Sequence, residues 1–484
     1  MQTVDSYLEK VIKVGDEGSE LLAKLCSPTL KNCEHIRILS EGMQARVGLK
    51  IPKGYMAVVH SASGGNMDEQ PGEHAYSMVQ FLVGRARAFS AKPLAFANVI
   101  DSRTGDTQLL RKIAEGLVDG ANKYHLAIMN GENAILGERL NADANVSGTL
   151  ISMKKLCKDV MLPSTFMLNG VHYTIFNPNI KKGSLLYMNS DGVGTKTELY
   201  ERAQKFEPAV EDWIAMDADD AAKINAVIQV LSGVIETRGN IPVDKIIKHA
   251  KAVAKRCGFE AILQPEDLGN RLNTYNPNVD FAFSISGSAV SVVSESGLKN
   301  PPKPKEGDYV IAIKAKGPRS NGITDKRKAM VKLYDINWHE KPEGKEYLDF
   351  LASPSTIFYP LFKELLDNKL ATCVYHMSGG AYNGKLARPL AKENLFVSLD
   401  NLFEPDPREL SLAEQVGSIE TAYAKWPMGN EGFITTTKPI QTMDIIKEKY
   451  GLECRVVGSV EKAVEGKTGV EIKINGKTIY FSGN

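Results

Sequence analysis

One pattern constrains this chain more than any other: an amphipathic helix, a strand-like run, an acidic residue and a strand of small residues occur twice in the same order. In the second occurrence apolar residues fall at 243, 246, 247, 250, 253, 254 and 257, the spacing of one helical face, and Gly258 follows as a left-handed cap. Burying seven such side chains contributes on the order of 10 kcal/mol before entropy is subtracted, so this helix is expected to pack on a sheet. The run Phe259 to Leu263 follows as a strand. In the first occurrence Leu110, Ile113, Ala114, Leu117, Val118 and Ala121 share a face ahead of the strand-like His125 to Met129. Each copy leads to an acidic residue, Glu132 and Glu266, which stand 134 residues apart, a domain-sized period. Beyond each lies a small-residue strand, Asn145 to Ser152 in one and Phe283 to Val290 in the other.

The repeat sets the organisation of the 484 residues, a length that suits about three domains. Lys154 to Thr165 separates the first repeat from the second, and the Pro/Lys-rich Asn300 to Asp308 is a semi-rigid link into a third unit. The expected domains are residues 1–155, 156–300 and 301–484. The third alternates strand-like runs (Tyr309 to Ile313, Thr372 to Tyr375, Gly432 to Thr436, Arg455 to Val457) with helical ones near 357–367, 410–423 and 440–449, so the fold class is mixed α/β (α+β).

Charge narrows the function classes. Lys and Arg total 59 against 58 Asp and Glu, which gives no overall pull toward nucleic acid or anionic membrane. No apolar stretch approaches the roughly 18 residues of a spanning helix, and the N-terminal residues lack the basic start and apolar core of a signal peptide, so a cytoplasmic location is expected. The six cysteines, at 26, 33, 157, 257, 373 and 454, form no Cys-x-x-Cys pair, and buried thiols are expected rather than zinc or disulfides.

The segment richest in chemistry is Ser190-Asp191-Gly192-Val193-Gly194-Thr195-Lys196-Thr197, directly after the apolar Ser184 to Met188. Two glycines let the backbone approach a phosphate, Lys196 can meet its charge, and Asp191 can hold the magnesium that accompanies a nucleotide. A tight Asp-Gly turn is the plain alternative. Downstream, Trp213 to Lys223 is helix-like and places Asp217, Asp219 and Asp220 within one turn, where mutual repulsion would be relieved by a cation. In the third unit, His376-Met377-Ser378-Gly379-Gly380 is a glycine-rich turn after a strand. Gly379 to Lys385 satisfies Gly-x4-Gly-Lys, but Leu386 has no hydroxyl for magnesium, so no P-loop is expected.

In this order, the segments resemble the aminoimidazole ribonucleotide (AIR) synthetase superfamily. Ser190 to Lys196 resembles its Asp-Gly-Val-Gly-Thr-Lys segment, Ala215 to Asp220 its metal helix, Arg319 to Gly322 its Ser-Asn-Gly turn, Ser353 to Phe358 its Ser-Pro segment, His376 to Gly380 its His-x-Thr-Gly-Gly turn, and Pro427 to Gly429 its Asn-Met-Gly strand. The departures are as informative. Where the family has Gly-Gly-Glu-Thr-Ala, the second repeat has Gln264-Pro265-Glu266-Asp267-Leu268, whereas the first has Asn130-Gly131-Glu132-Asn133-Ala134. Conversely, Ser61-Ala62-Ser63-Gly64-Gly65-Asn66 of the first repeat lacks the Asp and Lys of the nucleotide segment.

The resemblance implies an N-terminal domain present twice, forming an intramolecular pseudo-dimeric barrel, ahead of an α/β C-terminal domain, with further self-association left open. It implies ATP and Mg2+ as cofactors, and a purine ribonucleotide intermediate, formylglycinamidine ribonucleotide (FGAM), as the substrate cyclised to AIR. It assigns Asp191, Gly192, Gly194, Thr195 and Lys196, with Glu132 from the first repeat, to the nucleotide. Asn321, Gly379 and Gly380 are assigned with them to cofactor binding, Asp191, Asp217, Asp219 and Asp220 fall to the metal, and Lys196, His376 and Asp191 to catalysis. A related ATP-dependent enzyme acting on another amide or acyl substrate, or a non-catalytic nucleotide-binding scaffold, are the rival readings.

Overall fold

The computed structural model describes residues 17–40, 46–64, 70–156, 163–179, 183–267, 272–273, 281–474 and 476–483. Cys157, Gly65, Asn66 and Leu268, which the sequence reading touched, lie outside them. The chain divides into two compact units, one comprising Val11–Ala221 with Ala226–Asn300 and the other built on Pro301–Asn484.

The first unit holds twelve described strands. β1 (Ile36–Ser40), β2 (Arg46–Leu49) and β3 (Tyr55–Ser63) are followed by α1 (Pro71–Ala88), β4 (Lys92–Ser102), α2 (Thr107–Tyr124), β5 (Ala127–Ile135) and β6 (Ala144–Lys155). Then come β7 (Ser164–Leu168), β8 (Val171–Phe176), β9 (Ser184–Gly192), α3 (Thr197–Ala203), α4 (Ala209–Lys223), β10 (Val227–Arg238), α5 (Val243–Cys257), β11 (Glu260–Asp267) and β12 (Ala282–Ser294). The helix expected from its apolar face at 243–257 is α5, closed by Gly258 at φ 89°. Its counterpart is α2, capped at the start by the Asp106 side chain and at the end by left-handed His125. His125 therefore ends a helix instead of opening a strand. Glu132 and Glu266, to which the two occurrences lead, lie on β5 and β11.

Two six-stranded sheets result, in the orders β5-β4-β6-β3-β8-β7 and β1-β2-β9-β12-β10-β11. In each, four strands repeat one arrangement: β4 pairs in parallel with β5 and antiparallel with β6, as β10 does with β11 and β12. The sheets face each other across a shared apolar core that includes Val59, Ala97 and Ile151 on one side and Met188, Val230 and Val290 on the other. Helices α1 and α2 cover the outer face of the first sheet through Met78, Leu82, Ile113 and Leu117. Close approach demands glycine where β10 crosses β12, since a Cβ on Gly287 would lie 2.6 Å from Gly233 Cα and 2.6 Å from Ser232 O.

The hairpins that lead into each repeat are exchanged. The β1–β2 hairpin precedes β3 but joins β9, and the β7–β8 hairpin precedes β9 but joins β3. Among the described residues the pseudo-dimeric barrel implied by the resemblance does not close. Where the sheets meet, side chains make the bonds in place of a backbone ladder: Asn130 Nδ2 donates to Met188 O (2.9 Å), and Gln264 Nε2 donates to Gly170 O (3.1 Å). Pro265, next along β11, has no N–H with which to extend a ladder.

The second unit is a mixed sheet in the order β14-β16-β13-β17-β15-β18-β19, with β13 (Tyr309–Lys314), β14 (Cys373–His376), β15 (Leu395–Leu399), β16 (Asn430–Thr436), β17 (Cys454–Lys462), β18 (Gly469–Ile474) and β19 (Lys477–Phe481). The helix expected over 410–423 is two, Pro407–Val416 and Ile419–Lys425, because Gly417 at φ 139° breaks the first and Ser418 caps the second. Among the described residues no helix is long and apolar enough to cross a membrane.

Candidate functional site

Two clusters of functional residues emerge, one in each unit. In the first unit β9 delivers Asp191 and Gly192, the chain turns through Gly194 at φ 63°, and α3 begins at Thr197. Asp191 accepts a hydrogen bond from its neighbour Gly192 N at 2.7 Å, which tightens the turn. Behind it, α4 places Asp217 fully buried. Asn189 Nδ2 holds the Asp217 backbone carbonyl (2.8 Å) and Oδ1 (3.3 Å), and the Trp213 side chain donates to the same carboxylate.

The strands of the first sheet complete this pocket. β4 and β5 run against β9, bringing Asp101 and Glu132 toward Asp191 and Asp217. Burial, and next the Asp191 charge, push the Asp101 carboxyl up to about 7. Burial also lifts Asp217 well above the usual carboxylate range, helped by Asp191, Asp220 and, less strongly, Glu132. Carboxylates from β4, β5, β9 and α4 thus share one region. Oxygen donors alone suit magnesium.

Three expectations need correction. Asp219 stands about 200° round the helix from Asp217 and so leaves the cluster. Its charge acts on α5, where burial first and Asp219 second hold the Cys257 thiol up at about 11. Asp217 and Asp220 do share a face. Next, Lys196 is fully buried, and its Nζ donates to Asp212 Oδ1 at 3.0 Å, with Tyr200 donating to the other carboxylate oxygen. A buried ammonium needs such a partner, so its charge is committed to the fold and not presented to a phosphate. Finally, no three His, Cys, Asp or Glu side chains among the described residues converge into a ready ligand set, which removes the expected four-aspartate cage. Magnesium commonly takes one or two carboxylates plus substrate phosphates, so the site suits a metal arriving with a nucleotide better than a resident ion.

Buried ion pairs fix the turn. Arg139, 1% exposed and just after β5, grips Glu201 of α3 with both terminal nitrogens and donates to Phe283 O at 2.9 Å. Gly192, Gly194 and Thr195 are held between these anchors, Thr195 buried and the glycines partly open.

In the second unit, the segments Arg319–Gly322, Ser353–Phe358, His376–Gly380 and Pro427–Gly432 meet around one buried pair. Arg319 donates to Glu431 Oε1 (3.3 Å), to Thr356 O (2.9 Å) and to His376 Nδ1 (3.4 Å), and Glu431 accepts from Thr356 N (2.7 Å) and Oγ1 (2.9 Å). His376 is fully buried here, which corrects its expected catalytic role: the ring accepts from a guanidinium inside the core. The accessible rim is Asn321, Gly379 and Gly380, and a Cβ on Gly379 would lie 3.3 Å from Asn321 Nδ2. Asn321 Oδ1 is buried with no hydrogen-bond partner.

Asp101, Asp212, Arg139 and Glu431 escaped the sequence reading. Asp101 follows the largely apolar run Leu94 to Ile100, and Glu431 stands two residues beyond the quoted Pro427 to Gly429. A lone charge closing a buried strand was the available signal.

No family profile matches the chain. It is 28% identical over 309 residues to the phosphoribosylformylglycinamidine cyclo-ligase of Methanococcus vannielii, spanning 61% of this chain and 85% of that protein. With the enzyme of the same name from Clostridium perfringens it shares 26% identity over 321 residues, 65% of this chain and 93% of the relative. Among solved structures, thiamine-monophosphate kinase from Stenotrophomonas maltophilia K279a aligns with a TM-score of 0.43 at 13% identity, covering 62% of this chain and 88% of that one. HypE of E. coli, a hydrogenase maturation protein, aligns at 0.40 and 14% over 61% and 84%. The ordered motifs and the curated relatives make the chain similar to the AIR synthetase superfamily. Both curated relatives are cyclo-ligases by name.

Proposed function

We propose that this protein is an ATP-dependent enzyme of the AIR synthetase type, closing the imidazole ring of FGAM. The observation that carries the reading is Asp217, fully buried on α4 beside Asp191 at the end of a glycine turn suited to phosphate. Gly192 and Gly194 admit the phosphates, and the turn's backbone N–H groups, Thr195 among them, can donate to them. Asp191 and Asp217 would hold magnesium with the nucleotide, Asp220 and Glu132 lying near them, and the ion's role is to neutralise phosphate charge. In the second unit the Asn321, Gly379 and Gly380 rim is proposed to receive the substrate's phosphate or amide. The γ-phosphoryl group passes to the formamide oxygen of FGAM, the amidine nitrogen attacks that carbon, and phosphate departs with the oxygen as a proton is lost. Positioning and charge stabilisation are the protein's part.

The proposal includes the domain plan 1–155, 156–300 and 301–484, with the first two as copies of one domain, and a cytoplasmic location. Register supports the duplication: Asp191 pairs with Gly287 where Ala62 pairs with Gly148, so the first copy has alanine where the second has its catalytic-type aspartate. A second reading, a related enzyme using another amide or acyl substrate, is favoured by the commitment of Lys196 to Asp212 and of His376 to Arg319. Phosphate release from ATP decides among the readings. Release that requires FGAM supports the cyclo-ligase, release with a different amide supports the second reading, and no release with any purine intermediate leaves a non-catalytic scaffold.

A further inference from the structure

Two turns of the second unit hold side-chain-bearing residues in backbone conformations that favour glycine. In one, Pro427 O accepts from Asn430 N at 3.1 Å and closes a turn whose central residues, Met428 and Gly429, stand at φ 46° and 84°. Positive φ at both central positions is the type I′ pattern, which favours Asn-Gly or Asp-Gly over Met-Gly. The other turn follows β14, whose His376 pairs with Gly432 of β16. There Ser378 O accepts from Ala381 N at 2.9 Å, closing the chain around Gly379 and Gly380. Ala381, which leaves that turn, stands at φ 37° and ψ −123°. A residue with a Cβ is strained in such a conformation, and the strain persists only where the surroundings over-determine the backbone.

The next side chain, Tyr382, supplies that constraint to both turns. It opens the π-helical turn Tyr382–Ala387, and its ring is fully buried among Tyr423, Phe433 and Phe481, with centroids 5.5, 5.8 and 6.2 Å away. Its hydroxyl donates to Pro427 O at 3.1 Å, the same carbonyl that closes the 427–430 turn, and the Asn430 side chain is a further partner. Asn430 in turn holds Met428 O at 2.9 Å through Nδ2. Beyond Tyr382, Asn383 Oδ1 accepts from Gly483 N at 3.0 Å, which anchors the helical turn to the chain after β19. The aromatic packing would hold a phenylalanine ring equally well. What the hydroxyl adds is direction: it fixes the strained exit of the glycine turn against the strained Met-Gly turn.

We propose that Tyr382 is a positioning residue for the substrate, its hydroxyl tying the 378–381 turn to the 427–430 turn so that Gly379 and Gly380 keep the shape that receives the phosphate or amide of FGAM. It acts through the two turns and touches no reacting atom. This rests on the reading of the Asn321, Gly379 and Gly380 rim given above.

The test uses the full chain, FGAM and a non-hydrolysable ATP analogue. Calorimetry gives the affinity for the analogue and then for FGAM in its presence, and thermal melts are recorded alongside. The expected result is that Tyr382→Phe weakens FGAM by about fivefold or more, leaves the analogue within about twofold, and melts within about 4 °C of wild type. Adding Ala381→Gly to Tyr382→Phe removes the strain that the hydroxyl opposes, and should bring FGAM affinity back to within about twofold of wild type. Tyr450→Phe deletes a hydroxyl that donates to Glu364 at 2.6 Å elsewhere in the unit, and should leave FGAM affinity unchanged. If Tyr382→Phe binds FGAM as wild type does, loses FGAM and analogue alike, or is not rescued by Ala381→Gly, the positioning role is overturned while wild-type FGAM binding leaves the rim standing. If wild type binds the analogue but no FGAM, the reading of the rim falls and the proposal with it.

Discussion

At the scale of single residues, the fate of Lys196 shows how burial decides chemistry. Its ammonium and the Asp212 carboxylate are both fully buried, and removing one partner strands the other charge. Lys196→Met should therefore destabilise the fold by about 3–5 kcal/mol in urea titration. A lysine kept for phosphate would instead lose nucleotide affinity with stability intact, so the two measurements separate the roles. His60 makes a second case. Its Nε2 donates to Leu82 O at 3.0 Å, and burial pushes its pKa down to about 3. Since the unfolded chain takes up a proton near pH 6.5 and the folded ring does not, stability is full above about 6.5 and is lost as pH falls toward 3. His60→Phe should flatten the acid side of a plot of unfolding free energy against pH, whereas an unchanged slope would mean that the ring titrates normally in the fold.

At the scale of elements, the small-residue strands matter more than their lack of apolar bulk suggests. β10 and β12 cross so closely that a methyl on Gly287 would press on backbone atoms that cannot swing aside. Gly287→Ala should cost about 3 kcal/mol, at the upper end for overpacking. Gly307, at φ 84° with open space around it, offers a control, because Gly307→Ala should cost about 1 kcal/mol through backbone strain alone. Equal effects in thermal melts of the two variants would refute the crossing argument. The strand and helix periods were readable in sequence where an element presents one apolar face, as in α5. Elements that begin or end on a special backbone conformation were misjudged: His125 looks like a strand residue until its left-handed φ ends α2, and Gly417 divides what looks like one helix.

At the scale of the whole molecule, the exchanged hairpins bind the two halves of the first unit. Each half lends its leading hairpin to the other's sheet, so neither can satisfy its sheet alone. A chain broken after Leu156 should yield fragments that fold only when expressed together and then copurify, as read by circular dichroism and gel filtration. A fragment that folds alone as a monomer would show that the exchange is dispensable.

What the sequence determined by itself was the repeat, the order of the motifs, and the residue types gathered near a phosphate, because these depend on local spacing. Tertiary structure alone decided which charges remain available. Lys196 and His376 belong to matching motifs yet are absorbed by Asp212 and Arg319, which stand 16 and 57 residues away. Asp101 belongs to no motif yet is carried by β4 into the acidic pocket. A motif fixes where a side chain leaves the backbone, whereas burial and the partners brought by other strands fix its charge and its access, and those are properties of the folded whole.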